Sequence, residues 1–350
     1  MAQSSEIKAL LIARLDSLVR DLAPEGRRSG QYWIAKNPTR ADRHAGSFWV
    51  LMKGSAAGAW RDEATGEQGD VIGLIGYCMG HGRDFRATFV WARTWLNLGG
   101  MSDADRQRRV TAAQERLQAL ARDDAGRADR DRRAAFSLYL AGMKRQFGGS
   151  PADRYLRARG IDVVALGRRP GCLGWLPDVL HRESGWRGPV MIAGMTGVDG
   201  RLQAVHRTWL TADGAGKAPV TPTRKIWPRF AGSAIRMWRG SSGLSVDDAA
   251  RHGLREALVL VEGVEDALSV AVSAPQYRIW AAGTLGNLAE QMLPECVDEV
   301  IVVADNDWGK PQAARQFDVA LAALARQVPD VSVARSWLGK DSNDLLMGAQ

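Results

Sequence analysis

The sequence predicts an α+β, multi-domain chain: a small β-ribbon module with flanking helices over 1–99, a charged helical linker over 100–133, and a two-part core. The core divides into a basic α+β region over 134–250 and an α/β region over 251–350 built on a four-stranded parallel sheet. Three observations carry this reading. Two unbroken aliphatic runs late in the chain stop abruptly at carboxylates, as strands buried on both faces of a parallel sheet do. An alanine-rich stretch with interleaved Arg and Asp separates the front from the core. Charge divides with position: the last hundred residues hold 8 Lys and Arg against 14 Asp and Glu, and with the whole chain at +8 the first 250 carry +14.

In order along the chain, Ile7, Leu10, Leu11, Leu15, Leu18 and Leu22 recur at helical spacing and predict one amphipathic helix over 5–22. Three short aromatic strands follow, in Gly30-Gln-Tyr-Trp-Ile, Gly46-Ser-Phe-Trp-Val-Leu and Gly58-Ala-Trp-Arg-Asp, before the turn Gly66-Glu-Gln-Gly-Asp70 opens a helix. Alternate strand residues must face inward, so most of Trp33, Trp49 and Trp60 are expected in a core. Any that face outward, with Arg40, Arg43, Lys53 and Arg61, are placed to stack on single-stranded bases and grip phosphates.

Residues 83–98 read as a helix, and 102–133 as a solvated linker helix. Phe136, Leu138, Tyr139, Leu140 and Met143 mark a further helix over 134–148, and Ser150-Pro151 caps another that ends at Gly160. Over 188–238 strand and turn signals dominate, with Asp199-Gly200 predicted to join two antiparallel strands. Lys217, Arg224, Lys225, Arg229, Arg236 and Arg239 then accumulate in loops without matching acids.

In the last region, strands around 258–261, 277–281, 300–304 and 331–335 alternate with helices over 264–273, 286–293 and 311–327, the pattern of a right-handed β-α-β layer. Ligand sites in such sheets lie at the carboxyl ends of the strands. Glu262 ends the first strand, and Asp305 and Asp307, two residues apart, point the same way from an extended segment. Carboxylates held close repel one another unless a cation is present, and all-oxygen ligands suit a hard divalent ion such as magnesium.

These residues resemble a known family. Glu262-Gly263 with Asp266, Ala282-Gly283-Thr284-Leu285, Asp305-x-Asp307 and Gly339-Lys340-Asp341-x-Asn343-Asp344 look like the successive motifs of a Toprim domain, shared by bacterial-type primases, topoisomerases and certain nucleases. The Gly-Thr-Leu and Gly-Lys-Asp-x-Asn-Asp elements are more similar to DnaG-like primases, including those of phages and mobile elements. The front also resembles the zinc-ribbon module of such primases, with Asn37-Pro38, Gly46-Ser-Phe-Trp-Val, Ala59-Trp60-Arg61 and Gly69-Asp70-Val-Ile in order, but lacks the ligand cysteines and histidine. The expectation is a degenerate, metal-free ribbon whose core is tryptophan, with no zinc.

The resemblance implies a DNA primase, a nucleotidyltransferase that makes short RNA primers on a single-stranded DNA template from nucleoside triphosphates with Mg2+ or Mn2+. It implies Glu262, Asp305 and Asp307 as catalytic metal ligands, joined by Asp266 and by Asp341 or Asp344; whether Glu262 is ligand or general base stays open. Arg207 and Lys225 match basic positions of the family, and Lys217, Arg229 and Lys340 extend the expected phosphate contacts. Two alternatives stand beside it: a Toprim-type nuclease, and a non-catalytic single-stranded-DNA-binding or helicase-loading factor.

Other classes are disfavoured. Cys78, Cys172 and Cys296 are too few and too scattered for a disulfide framework. Cys78-Met-Gly-His81 has the spacing of half a zinc site with no second half nearby. With no signal peptide and no run long enough to span a bilayer, the expectation is a cytoplasmic protein with no membrane partner. No Gly-x4-Gly-Lys-[Ser/Thr] motif occurs, so any replicative helicase would be a separate polypeptide, and no recruiting tail is expected after Leu346. None of the five tyrosines sits in a domain matching a topoisomerase.

Overall fold

Ile7, Leu10 and Leu11 bury one helix and Leu15, Leu18, Val19 and Leu22 a second, α1 (Ser4–Ala13) and α2 (Leu15–Leu22), where the sequence predicts one. The break falls at Arg14, whose backbone leaves helical geometry at φ −114°, ψ 23°. The computed structural model describes residues 4–304, 311–336, 339 and 341–348. The chain folds as two units, Met1–Arg127 and Ala128–Gln350.

In the first unit β1 (Arg27–Ser29), β2 (Tyr32–Ala35), β3 (Phe48–Leu51), β4 (Trp60–Asp62) and β5 (Gln68–Gly69) form one antiparallel sheet in chain order. The two strands beyond the predicted three, β1 and β5, are short edges that lack aromatic residues. Alternation sends Trp33, Phe48, Val50 and Trp60 inward and leaves Tyr32, Trp49 and Arg61 on the outer face. Each inward aromatic contributes about 2–3 kcal/mol by leaving water. They pack on α1, α2 and α3 (Val71–Cys78), whose first amides are capped by Asp70, followed by α4 (Phe85–Trp95).

Tryptophan is only part of what crosslinks this ribbon. Trp60, Phe48 and Tyr77 form a ring cluster, with Trp60 and Tyr77 centroids 4.4 Å apart. Beside it Asp62, fully buried, accepts hydrogen bonds from Asn37 Nδ2 at 2.8 Å, Arg40 Nη1 at 2.7 Å and Thr65 Oγ1 at 3.2 Å. The β2–β3 loop and the β4–β5 turn thus converge on one carboxylate.

The predicted linker and the helix after it are continuous as α5 (Asp103–Met143), since no proline and only Gly126 interrupt the run before Gly142. It belongs to the first unit through Arg127 and to the second from Ala128.

The second unit stacks two sheets. After α6 (Pro151–Arg157), capped by Ser150, β6 (Leu173–Leu180), β7 (Arg187–Thr196), β8 (Leu202–Trp209) and β9 (Arg224–Trp227) pair antiparallel in chain order. The predicted Asp199-Gly200 turn joins β7 to β8. Then come β10 (Ile235–Arg239), α7 (Val246–Arg251), β11 (Glu256–Val261), α8 (Val264–Ser273), β12 (Arg278–Ala281), α9 (Leu285–Leu288), β13 (Val297–Ala304), α10 (Pro311–Leu324), β14 (Asp330–Arg335) and α11 (Ser342–Gly348).

The second sheet has five strands, in the order β10-β12-β11-β13-β14, where four are predicted. The predicted four are parallel, and the fifth, β10, pairs antiparallel on the edge of β12. It escapes the β-α-β pattern because it is contributed from the basic region, with Ile235 and Met237 inward and Arg236, Trp238 and Arg239 alternating with them. Val259, Val261, Ile279 and Ala281 join Met191, Ala193, Met195 and Ala204 of the first sheet in one core. Leu258, Leu260, Trp280, Val300 and Val302 pack the opposite face against Ala320 and Leu324 of α10. The β6–β9 sheet's outer face, through Val190, Ile192, Val205 and Trp209, covers Ala135 of α5.

Candidate active site

The parallel strands β11 and β12 end together, and their carboxyl ends are laced by backbone hydrogen bonds. Ala282 N donates to Val261 O and Gly283 N to Glu262 O, both at 2.9 Å. Glu262 therefore stands at the sheet edge where the sequence places it. Gly263 follows as the residue before α8; a Cβ there would lie 2.5 Å from Asp266 Oδ2, so glycine permits Asp266 to fold back toward the strand end.

Gly283 is required twice over. Its φ is +83°, and a Cβ would meet Ile226 Cδ1 of β9 at 2.7 Å. The bare backbone thus admits the antiparallel sheet against the acidic edge. Next to it, buried Asn287 donates to Ala282 O at 2.7 Å and to Ser233 O at 2.9 Å and accepts from Gly232 N at 2.9 Å, tying the two halves of the unit together.

At the chain's far end Asp341 Oδ1 accepts from Asp344 N at 2.9 Å, and buried Asn343 donates to Ser269 Oγ of α8 at 3.1 Å and to Arg159 O at 2.8 Å. This docks α11 on α8, the helix that begins beside Glu262. Asp305, Asp307 and Lys340 lie outside the described residues. Among the described residues no group of three His, Cys, Asp or Glu side chains is placed to hold a metal.

Facing the edge is one surface of β8 and β9. Their register, His206 opposite Ile226 and Thr208 opposite Arg224, puts these four side chains on the face that meets Gly283. Arg207 and Lys225, opposite one another, occupy the other face. There Arg207 lies over the rings of Trp209, at 5.1 Å, and Trp227, at 5.9 Å, and Lys225 is ion-paired with Glu183. The structure therefore does not bring these two expected phosphate contacts to the acidic edge. Arg229 is exposed in the β9–β10 connection.

Lys217 does reach the edge, through an acid that the sequence reading passed over. Its Nζ stands 3.1 Å from Oε1 of Glu265, a buried residue in the first turn of α8 that also accepts from Tyr155 Oη at 2.8 Å. Burial opposes the charge on Glu265, but Lys217, the Tyr155 hydroxyl and Arg224 outweigh it and hold the pKa down at about 2. Burial, with Arg224, Lys217 and Arg207 nearby, lowers the His206 pKa to about 4 despite the attraction of Glu265, so this imidazole is neutral at pH 7. Tyr155 is pushed up by burial and by the adjacent carboxylate. Sequence offered little signal for this cluster: Glu265 and Asp266 are adjacent acids in a helix's first turn, and only the fold shows that Glu265 points inward.

In the front unit, Arg40 is turned into the Asp62 network and also meets Asp42, whose pKa it lowers to about 2 together with the Asn37 amide. Trp49 packs edge-on against Tyr32 and donates from Nε1 to Glu63 at 3.1 Å; Arg61 pairs with the same Glu63 at 3.2 Å. Arg43 is exposed. Burial raises the Cys78 thiol to about 12, and His81 Nδ1 shares a hydrogen bond with Thr88 Oγ1 at 3.2 Å.

Comparison with known proteins divides the second unit as its two sheets do. Residues 257–349 match the Toprim domain family, and residues 129–237 match a domain of unknown function, DUF7146. No curated protein matches the chain. Similar solved structures include a DNA primase domain from Pseudomonas aeruginosa, at 15% identity over 62% of this chain and 74% of that one, with a TM-score of 0.40. The DnaG catalytic core is similar at 17% identity over 61% and 74%, TM-score 0.42, and the primase fragment of the bacteriophage T7 primase-helicase protein at 15% over 59% and 73%, TM-score 0.37.

Proposed function

We propose, from the Toprim domain that the chain carries over residues 257–349, that the protein is a primase which joins ribonucleotides into short primers on single-stranded DNA. The observation that carries this reading is Glu262 at the shared carboxyl end of β11 and β12, laced to Gly283, with Arg224 on the sheet face opposite.

The donors assigned to this edge are all carboxylates, which fits a hard divalent cation, Mg2+ or Mn2+, and not a soft one. Glu262, Asp305 and Asp307 would hold it, with Asp266 and Asp341 at the margin. Bound there, the metal supplies neutralisation of phosphate charge and acidification of a primer 3′-hydroxyl. The chain's own residues do the rest. Lys217 is committed to Glu265, which leaves Arg224 as the cation on the facing strands to hold a triphosphate or a template phosphate. Neutral His206 adds no charge to that face. In the front unit the outward Tyr32 and Trp49 form an aromatic surface of the kind on which single-stranded bases stack, with Arg61 beside them paired to Glu63.

The test is incubation with single-stranded DNA, magnesium and labelled ribonucleotides, beside an Asp305→Ala, Asp307→Ala double variant. Short labelled oligonucleotides from the wild type alone support the primase. Nicking of the DNA without nucleotides would favour a nuclease, and binding without any product a loading factor.

A further inference from the structure

A second cationic site lies on the flank of the five-stranded sheet. A cavity of about 430 Å3 runs along β10 at the amino-terminal end of β12, away from the end that bears Glu262, and is closed by the start of β8 and the residues before β6. Five arginines line it against one acidic residue, Asp247, and four of the five are Arg168, Arg169, Arg236 and Arg239. None of the four is ion-paired with a carboxylate among the described residues. Arg278, also in the wall, is already neutralised by Glu256.

The four are held by neutral partners, so their charge is retained. Arg169 donates to Met143 O at 3.1 Å and Arg145 O at 3.2 Å, and Arg236 donates from Nη2 to Gly197 O at 2.7 Å. Arg168 lies 5.2 Å over the Trp238 ring and Arg236 4.9 Å over Trp280. Arg236 Nε is buried with no acceptor among the described residues.

We propose that this cavity binds a soluble oligophosphate, such as a nucleoside triphosphate or inorganic triphosphate. Guanidinium forks match phosphate oxygens in pairs, and several of them around one cavity call for several phosphates rather than one carboxylate. The volume is that of a small-molecule pocket. The inference goes beyond the primase reading and does not depend on it.

The test is calorimetric titration of the full chain with inorganic triphosphate and with ATP in EDTA, where the acidic edge has no metal. Binding is expected for the wild type, weakened at least about tenfold by Arg236→Gln. The exposed pair Arg168→Gln, Arg239→Gln should weaken it comparably, which guards against a folding defect at part-buried Arg236. Absence of binding, or binding unchanged in both cavity variants, would overturn the proposal. So would competitive displacement by an oligo-dT strand, which would make the cavity part of a strand-binding track.

Discussion

Lys217 Nζ stands 3.1 Å from Oε1 of buried Glu265, three residues beyond Glu262, so a loop of the basic region is pinned by charge to the helix that starts at the acidic edge. The pair fixes the cleft rather than filling it. Removing one partner leaves an uncompensated buried charge: Lys217→Met is expected to cost about 3–5 kcal/mol, read by urea unfolding, while Lys217→Met with Glu265→Gln recovers most of that loss.

Two buried groups here set an acid limit on stability. Glu265 has its pKa lowered to about 2, so its contribution is present above the unfolded value near 4.5 and fades as pH falls toward 2. His206, lowered to about 4, takes up its proton in the unfolded chain first, so stability also declines as pH falls from 6.5 to 4. Thermal melts between pH 7 and pH 4 should show this slope, and His206→Asn should flatten it.

Gly283→Ala should impair the proposed primer synthesis without touching a charged group. The added Cβ meets the end of the Ile226 side chain at a φ of +83°, so the backbone is strained and Ile226 must turn aside at the edge. A rise in KM for nucleotide with the carboxylates intact, and normal values on Gly286→Ala, where a Cβ meets nothing within 4 Å, would show it.

In the front unit the buried carboxylate of Asp62 joins the β2–β3 loop to the β4–β5 turn. Asp62→Ala strands Asn37 and Arg40 and is expected to destabilise the front unit by about 2 kcal/mol in differential scanning calorimetry, whereas EDTA leaves its melting unchanged. Burial works against the charge on Asp62, but Arg40, the Ala64 amide and Thr65 hold its pKa below the usual value, so this support is lost as pH falls below that range.

Arg224 and Lys225, adjacent in sequence, should separate in function. Arg224→Gln is expected to weaken nucleotide or template binding about tenfold or more, while Lys225→Gln, on the face paired with Glu183, changes it little. Filter binding on both variants decides it.

This pair also shows what sequence can convey. The four parallel strands and Glu262 were legible because fully buried strands read as unbroken aliphatic runs and their ends are marked by acids. The face of a strand on which a basic residue falls depends on register, and a run of Arg and Lys in loops and short strands does not state it. Glu265 was hidden for the same reason, since an acid in a helix's first turn reads as a solvated cap until a lysine 48 positions earlier is seen to reach it. β10 was missed because an antiparallel edge strand arrives from outside the repeating unit. In the ribbon, the absent cysteines predicted aromatic packing, yet the Asp62 network uses Asn37, Arg40 and Thr65, residue types that in sequence look like any polar turn.

If Glu262 at the strand edge drives primer synthesis, Glu262→Gln should abolish it while leaving the fold intact. On single-stranded DNA with magnesium and ribonucleotides, the variant should keep its circular dichroism and its DNA affinity while losing primer synthesis by about a hundredfold or more. A Glu262→Gln protein that makes primers at the wild-type rate would rule out this edge as the reaction centre.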